Sequence, residues 1–170
     1  PPQNPEVSFQ SEYGHFIGGE WIGSSSGKLI DQINPATGKV IGRIQAGSAE
    51  DAARAVKAAA DAFPAWSMST PSQRQAILFE MARRLRSRMA EFAVMESMGN
   101  GKHIVESTFF DLDQAIETFE YFAGAPHTAL TGSLESHPEM TAMMYRQPIG
   151  VCAQIIPWNV PLLMMSMKIA

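Results

Sequence analysis

The sequence contains almost no cysteine, since Cys152 is the only one in 170 residues. One cysteine excludes an internal disulfide framework and a metal site built from several thiolates, and it favours a reducing compartment. Charged residues are also sparse, at 18% of the chain, and the formal net charge is −4. Because a general nucleic-acid binder shows a basic field, we expect no nucleic-acid partner, and we predict a cytoplasmic location.

Long apolar runs are absent as well. No stretch reaches the roughly 18 uninterrupted apolar residues that a membrane helix needs, because polar residues and prolines interrupt the most apolar one, residues 151–167. Residues 1–11 are polar and rich in proline, without the basic start and apolar centre of a secretion signal. We therefore expect no membrane association, and we expect a flexible arm over residues 1–12.

Turn signals dominate the first part of the chain. Short apolar runs flank Gly18-Gly19, and this pair favours a tight hairpin because both turn residues need positive φ. Residues 29–33 and 40–44 are predicted strands on either side of the turn 34–38, which contains proline and glycine.

Apolar residues at helical spacing then indicate three helices. Ser48 and Thr70 are the expected caps of the first two, and Pro64 is expected to end the first. The second and third helices are predicted over residues 71–98 and 104–123, closed by the glycine-containing segments 99–101 and 124–126.

The final part of the chain combines loop, strand and helix signals. Loop residues dominate 127–138, and strands are predicted at 141–147 and 150–156, the second one buried. A turn at 157–161 leads into a helix that begins at Leu162. A buried strand that passes through a turn into a helix is how a doubly wound α/β sheet begins.

Several conspicuous residues are better explained by packing or solvation than by chemistry. Cys152 lies between apolar neighbours, which favours packing in a strand over a nucleophile. The basic run at 83–88 has helical spacing on an acidic chain, so we interpret it as a solvated helix face. The histidines do not pair at helical spacing, and we expect no metal site from His15, His103, His127 and His137.

The turn at 157–161 has two open interpretations. Asn159 offers two amide donors that do not titrate, and such donors suit the stabilisation of an oxyanion. Pro157 and Pro161 fix the backbone on both sides, at a place where open α/β sheets bind ligands. In the alternative interpretation, the turn is structural and the Asn159 side chain caps the following helix.

Segments spread over nearly the whole chain closely resemble the aldehyde dehydrogenase superfamily, in family order. They are Phe16-Ile17-Gly18-Gly19-Glu20-Trp21, Asn34-Pro35-Ala36-Thr37-Gly38, Asn100-Gly101-Lys102, Tyr121-Phe122-Ala123-Gly124, Gln147-Pro148-Ile149-Gly150-Val151-Cys152, and the run from Ile155-Ile156-Pro157-Trp158-Asn159 to Pro161-Leu162-Leu163-Met164. Any one of these segments is weakly specific, whereas the ordered set is highly specific.

The resemblance implies oxidation of an aldehyde to a carboxylic acid with NAD, NADP not being excluded, through a thiohemiacetal and a thioester. It implies that Asn159 donates to the thiohemiacetal oxyanion, and Lys168 matches a lysine that some members use in a proton relay. The nicotinamide side of the cofactor cleft would be lined by Ile155, Ile156, Pro157, Trp158 and Asn159. The family's nucleophilic cysteine and general-base glutamate come from later sequence, so we expect residues 1–170 alone to be inactive.

The resemblance also implies a substrate tunnel. Its residues in this chain would be Phe110, Gln114, Val160, Leu163, Met164 and Met167. Many members with small aliphatic substrates have phenylalanine in place of Val160 and tryptophan in place of Met167. The smaller residues predict a wider tunnel for bulky, aromatic or long-chain aldehydes.

We therefore predict an α/β fold, the N-terminal portion of a Rossmann-like cofactor-binding domain with a β-hairpin arm and an oligomerisation strand. The arm, the first part of this domain, the oligomerisation segment and the start of the Rossmann-like core are expected at 1–12, 13–129, 130–149 and 150–170. The resemblance implies a homo-oligomer, a dimer or a tetramer. The alternative is a truncated, non-catalytic chain that serves as a scaffold or binds a partner.

Overall fold

The computed structural model describes residues 7, 9–128, 133–137 and 139–170. Much of the expected arm (1–6 and 8) and part of the predicted loop after the third helix (129–132 and 138) lie outside the described residues. The strands are β1 (Glu12–Tyr13), β2 (His15–Ile17), β3 (Glu20–Ile22), β4 (Leu29–Asn34), β5 (Lys39–Gln45), β6 (Ser133–His137) and β7 (Met140–Met143). The helices are α1 (Ala49–Ser67), α2 (Pro71–Ser87), α3 (Met89–Asn100), α4 (Ile104–Glu106), α5 (Asp113–Thr128) and α6 (Pro161–Ile169). Residues Ser107–Leu112, between α4 and α5, form a π-helical turn that we call the π segment.

The early strand and turn predictions are confirmed. Strands β4 and β5 are antiparallel, with Asn34 opposite Lys39, and the short β1 pairs in parallel with β5. The Gly18-Gly19 turn joins β2 to β3, and its glycines have φ values of 65° and 89°. Residues with a Cβ rarely adopt such values, which is why this glycine pair specified the hairpin.

Both predicted helix starts are confirmed as capping boxes. The Asp51 N–H donates to Ser48 Oγ (3.1 Å), and the Ser48 N–H donates to the Asp51 carboxylate (2.9 Å). The Gln73 N–H donates to Thr70 Oγ1 (3.2 Å), and the Thr70 N–H donates to Gln73 Oε1 (2.8 Å). Each box satisfies two backbone groups that the first turn of a helix would otherwise leave without partners. The predicted left-handed stop after α3 is also present, at Gly101 with φ of 83°.

The helix ends predicted at prolines are wrong. Helix α1 continues through Pro64, and α5 continues through Pro126. Each proline lies in the last turn of its helix. There the missing N–H removes only one hydrogen bond, and little helix follows for the ring to disturb.

The second and third predicted helices are each divided. Arg88, with φ of −119°, separates α2 from α3, so one continuous helix over 71–98 is wrong. The predicted helix 104–123 begins as α4, widens into the π segment and continues as α5. At the entrance to the wide turn, Thr108 Oγ1 donates to the Ile104 carbonyl (2.7 Å), a threonine back-bond of the kind that bends helices.

The core lies between α2 and α5, with α6 against it. Its buried residues are Leu78, Ala82 and Leu85 on α2 and Ala115, Ile116, Phe119 and Ala123 on α5. Leu162, in the first turn of α6, packs on the same cluster. This packing places the turn at 157–160 beside α5. Among the described residues, no helix is long and apolar enough to cross a membrane.

The basic run at 83–88 lies on a solvated helix face, as predicted. Its arginines are exposed, and each forms an ion pair with a glutamate on α2, α3 or α5. The run therefore has its charge partners within the chain.

The predicted loop at 127–138 and the predicted strand at 141–147 are both partly wrong. Helix α5 extends into the loop, and β6 forms within it. Strand β7 pairs antiparallel with β6 but ends at Met143. A hairpin thus replaces the single strand, because β6 supplies the neighbour that a strand needs for its backbone hydrogen bonds.

The buried strand predicted at 150–156 is absent. Gly150 has φ of 109°, which interrupts an extended chain, and none of the described strands lies beside this segment. Cys152, predicted to pack within that strand, is exposed. Apolar side chains such as these form a buried strand only when neighbouring strands pair with them and cover them.

Candidate functional site

The turn at 157–160 leads directly into α6. Pro161 is the first residue of the helix, and Val160 precedes it without a side-chain cap. Asn159 is exposed. Asn159 therefore does not cap α6, so that interpretation of the turn is wrong. The Asn159 amide is available to other partners.

One hydrogen bond ties the segment before α6 to the end of the helix. Gln154 Nε2 donates to the Lys168 carbonyl near the end of α6 (2.6 Å). The Met164 N–H donates to the Val160 carbonyl (2.9 Å), which is the first hydrogen bond of the helix itself. The Gln154 bond holds the chain five residues before Asn159.

A charged cluster lies between α3 and the π segment. Lys102 Nζ and Asp111 Oδ2 are 2.5 Å apart, and their side chains are only 12% and 0% exposed. Glu96, on α3, is half-buried. We call these three residues the Glu96–Lys102–Asp111 cluster. It joins α3, the loop after α3 and the π segment, and the π segment packs against α6.

The environment of Glu96 opposes its ionisation. Burial raises the pKa of Glu96, and the Asp111 charge acts in the same direction. The Leu162 N–H and the Lys102 ammonium favour the charged form. Glu96 Oε1 has no partner among the described residues. The net effect is a pKa of Glu96 above the usual value, because burial outweighs the groups that favour the charged form.

The residues predicted to face the cofactor lie on an open surface. Ile155 is 92% exposed and Trp158 80%, and Ile156 and Pro157 are exposed as well. None of the described residues bonds to the backbone groups of 155–158. The apolar side chains and the free backbone groups of this segment are therefore available to a ligand.

The predicted tunnel residues fall on three neighbouring elements. Phe110 lies on the π segment, Gln114 on α5, and Val160, Leu163, Met164 and Met167 at the start of or within α6. Helix α6 packs against both α5 and the π segment. Of the six, Leu163 is buried, and the other five are exposed or half-buried. Leu163 thus packs in the interior of the described chain.

Lys168 is exposed in the last turn of α6.

The charged cluster and the π segment were not anticipated. Lys102 lies in the segment Asn100-Gly101-Lys102 that resembles the family, but its partner Asp111 lies nine residues later. A carboxylate between apolar neighbours on a buried helix stripe was the available signal for Asp111. Glu96 carried no local signal.

Comparison with known proteins agrees with this arrangement. The family model described as "Aldehyde dehydrogenase family" matches residues 21–170. The "Probable aldehyde dehydrogenase" of Streptomyces coelicolor is 41% identical over 165 residues, which are 96% of this chain and 32% of that protein. The long-chain-aldehyde dehydrogenase of an Acinetobacter species is 38% identical, over 97% of this chain and 33% of that protein. The chain therefore spans about a third of the length of the curated relatives it matches.

Solved structures give the same result. A variant of the aldehyde dehydrogenase from Bacillus cereus superposes with a TM-score of 0.87 at 31% identity, over 93% of this chain and 33% of that chain. A variant of betaine aldehyde dehydrogenase from Staphylococcus aureus, in complex with NAD+, superposes with a TM-score of 0.84 at 34% identity, over 94% of this chain and 32% of that chain. The predicted fold, an α/β N-terminal portion of a cofactor-binding domain, is confirmed. The chain belongs to the aldehyde dehydrogenase family.

Proposed function

We propose that the 170 residues work within a longer protein that oxidises an aldehyde to a carboxylic acid with NAD. The observation that carries this proposal is the Asn159 amide just before α6, which is exposed and does not cap the helix. Its support is the family membership and the NAD+ complex of the related betaine aldehyde dehydrogenase.

Asn159, the segment before it and Lys168 each have a proposed part in this reaction. When a nucleophile attacks the aldehyde carbonyl, negative charge develops on the carbonyl oxygen, and the Asn159 amide donates a hydrogen bond to it. The amide stays neutral, so this donor works at any pH. Residues 155–158 would hold the nicotinamide, which accepts the hydride when it is bound. Lys168 serves as a proton relay.

The experiment is an assay of NADH formation. We expect the full-length protein to form NADH when NAD and an aldehyde are added. Residues 1–170 alone are expected to form none, because the nucleophilic cysteine and the general-base glutamate of the family come from later sequence. NADH formation by the isolated 170 residues, at a rate comparable with that of the full-length protein, would contradict this assignment.

We further propose that the substrates are bulky, aromatic or long-chain aldehydes. Val160 and Met167 stand where many members with small substrates have larger side chains, and one similar relative is a long-chain-aldehyde dehydrogenase. Restoring the bulk with Val160→Phe and Met167→Trp is expected to lower kcat/KM for benzaldehyde by about 10–200-fold relative to acetaldehyde, the usual range for pocket-size discrimination.

The specificity constants of the wild type and the double variant provide this test. The matched control for Val160→Phe is Val151→Phe. It makes the same substitution at an exposed apolar position outside the proposed tunnel. It is expected to change the benzaldehyde-to-acetaldehyde ratio by less than about twofold. A wild type that prefers acetaldehyde would contradict the wide tunnel.

We propose a cytoplasmic homo-oligomer, a dimer or a tetramer, with the domain boundaries given above. The β2–β3 hairpin supports this proposal, since it exposes Phe16 and Trp21, whose rings are 5.2 Å apart. A pair of exposed aromatic rings in contact on a hairpin is typical of a surface that another protein segment covers.

A further inference from the structure

We propose that the buried pair of Lys102 and Asp111 positions Phe110 and thereby sets which aldehydes the tunnel prefers. Phe110 immediately precedes Asp111 in the π segment. The ion pair fixes the rotation of this segment, and the rotation fixes where the Phe110 ring lies. The inference rests on the proposed function and on the proposed place of Phe110 in the tunnel.

The first step of the argument is the pattern of burial in the π segment. Ser107, Asp111 and Leu112 are all 0% exposed. Phe109 and Phe110 are 70% and 46% exposed. Ser107 and Leu112 are five residues apart, which is about 140° around an α-helix, but the hydrogen bonds of a π-helix join residues five apart. The wide turn therefore brings the buried residues onto one face and leaves the two phenylalanines outside it.

The second step is the contact that the buried face of the π segment makes. Asp111 Oδ2 lies 2.5 Å from Lys102 Nζ, and the Lys102 side chain is only 12% exposed. Lys102 belongs to the loop after α3, and α3 packs against the π segment. The ammonium group can bond to the carboxylate only while Asp111 points toward that loop. The pair thus holds the π segment at one rotation.

The third step is the cost of burying this pair. Removing two charges from water is expensive, and apolar residues of similar volume often stabilise a protein equally well. A small rotation of the segment costs little when its buried side chains are apolar, whereas a buried carboxylate without its ammonium partner is costly. The pair therefore selects one geometry of the wide turn more strictly than apolar packing would.

The fourth step leads from the π segment to the substrate. Helix α6, which carries most of the predicted tunnel residues, packs against this segment. Phe110 is the one aromatic side chain among the six predicted tunnel residues. The ring of an aromatic aldehyde can contact it, and acetaldehyde has no ring to do so. A change in the rotation of the π segment thus affects the two substrates unequally.

A merely structural role would make the pair important for stability and not for specificity. Lys102→Met combined with Asp111→Leu, which we call the apolar-pair variant, separates the two roles because it leaves no unpaired charge. In the full-length protein it forms a double-mutant cycle with Phe110→Ala, since a positioning pair acts only through its target. The readouts are kcat/KM for benzaldehyde and for acetaldehyde, and the free energy of unfolding.

We expect the apolar-pair variant to lower the benzaldehyde-to-acetaldehyde ratio of kcat/KM by about fivefold, the usual value of one aromatic contact. In the Phe110→Ala background, the same change is expected to lower the ratio by less than about twofold. The variant is expected to be more stable than Lys102→Met alone, so the loss of specificity does not follow stability. The matched control is Lys57→Met, which breaks an exposed pair and is expected to leave the ratio within about twofold.

Two variants of Asp111 keep the test valid if the apolar-pair variant does not fold. Asp111→Asn keeps the size of the side chain and an oxygen that accepts a hydrogen bond from Lys102, so it is expected to keep the ratio within about twofold. Asp111→Ala removes the acceptor, and the long stem of Lys102 can carry its ammonium group to water. It is expected to lower the ratio by about fivefold.

The outcomes separate failure of this proposal from failure of the proposed function. A wild type that forms no NADH from either aldehyde would overturn both. If the wild type oxidises both aldehydes and the apolar-pair variant or Phe110→Ala leaves the ratio unchanged, the positioning role is wrong and the proposed function stands. An equal loss with and without the Phe110 ring, or equal ratios for Asp111→Asn and Asp111→Ala, would also overturn the positioning role.

Discussion

Replacing Asn159 by alanine in the full-length enzyme is expected to lower kcat by about 10²–10³-fold, the usual cost of removing one oxyanion donor. The amide is exposed and does not cap α6, so its loss leaves no helix start unsatisfied. Folding should therefore be unaffected. Binding of NAD should also persist, because the proposed cofactor wall at 155–158 is unchanged.

Two further variants sharpen this test. Asn159→Asp has nearly the same shape but presents oxygen atoms to the developing negative charge, so it is expected to be at least as slow as alanine. Gln10→Ala removes an exposed side-chain amide in the first part of the chain, outside the proposed site, and it is expected to change kcat by less than about twofold. Steady-state kinetics with a saturating aldehyde give the comparison. Equal kcat values for the wild type and Asn159→Ala would show that the amide is not the oxyanion donor.

Replacing Lys102 by methionine is expected to lower the free energy of unfolding by about 3–5 kcal/mol, the usual cost of breaking a buried ion pair. The change leaves the Asp111 carboxylate buried without its counter-charge, close to the charge of Glu96. Methionine keeps most of the length and apolar volume of lysine, so the loss reports on charge and not on packing. Urea denaturation of the full-length protein gives the measurement.

The chain offers a matched control for this variant. Lys57 and Asp61 form an ion pair of 2.6 Å, but their side chains are 75% and 64% exposed. Lys57→Met is therefore expected to change the free energy of unfolding by less than about 1 kcal/mol. Replacing both buried partners, with Lys102→Met and Asp111→Leu, is expected to recover part of the loss because no isolated charge remains. Equal effects of Lys102→Met and Lys57→Met would contradict this account of the cluster.

Features that depend on neighbouring residues could be predicted from the sequence. The Gly18-Gly19 turn and the Ser48 and Thr70 caps each rely on chemistry within three or four residues, and all are confirmed. The turn at 157–161 was found for the same reason, because proline and asparagine act on the backbone next to them.

Features that depend on distant partners could not be predicted. The segment 150–156 has the composition of a buried strand, but no described strand pairs with it. Lys102 meets Asp111 only across the turn into the π segment, and Glu96 comes near them only after α3 has packed against that segment. Their positions along the chain show no spacing that would link them.

We propose that this chain carries part of an NAD-dependent aldehyde-oxidising site. The most direct measurement is to incubate the full-length protein with NAD and benzaldehyde and to quantify both NADH and benzoic acid. We expect the two products in equal amounts, because each aldehyde oxidised transfers one hydride and releases one acid. No NADH with any aldehyde, or NADH without acid, would contradict the claim.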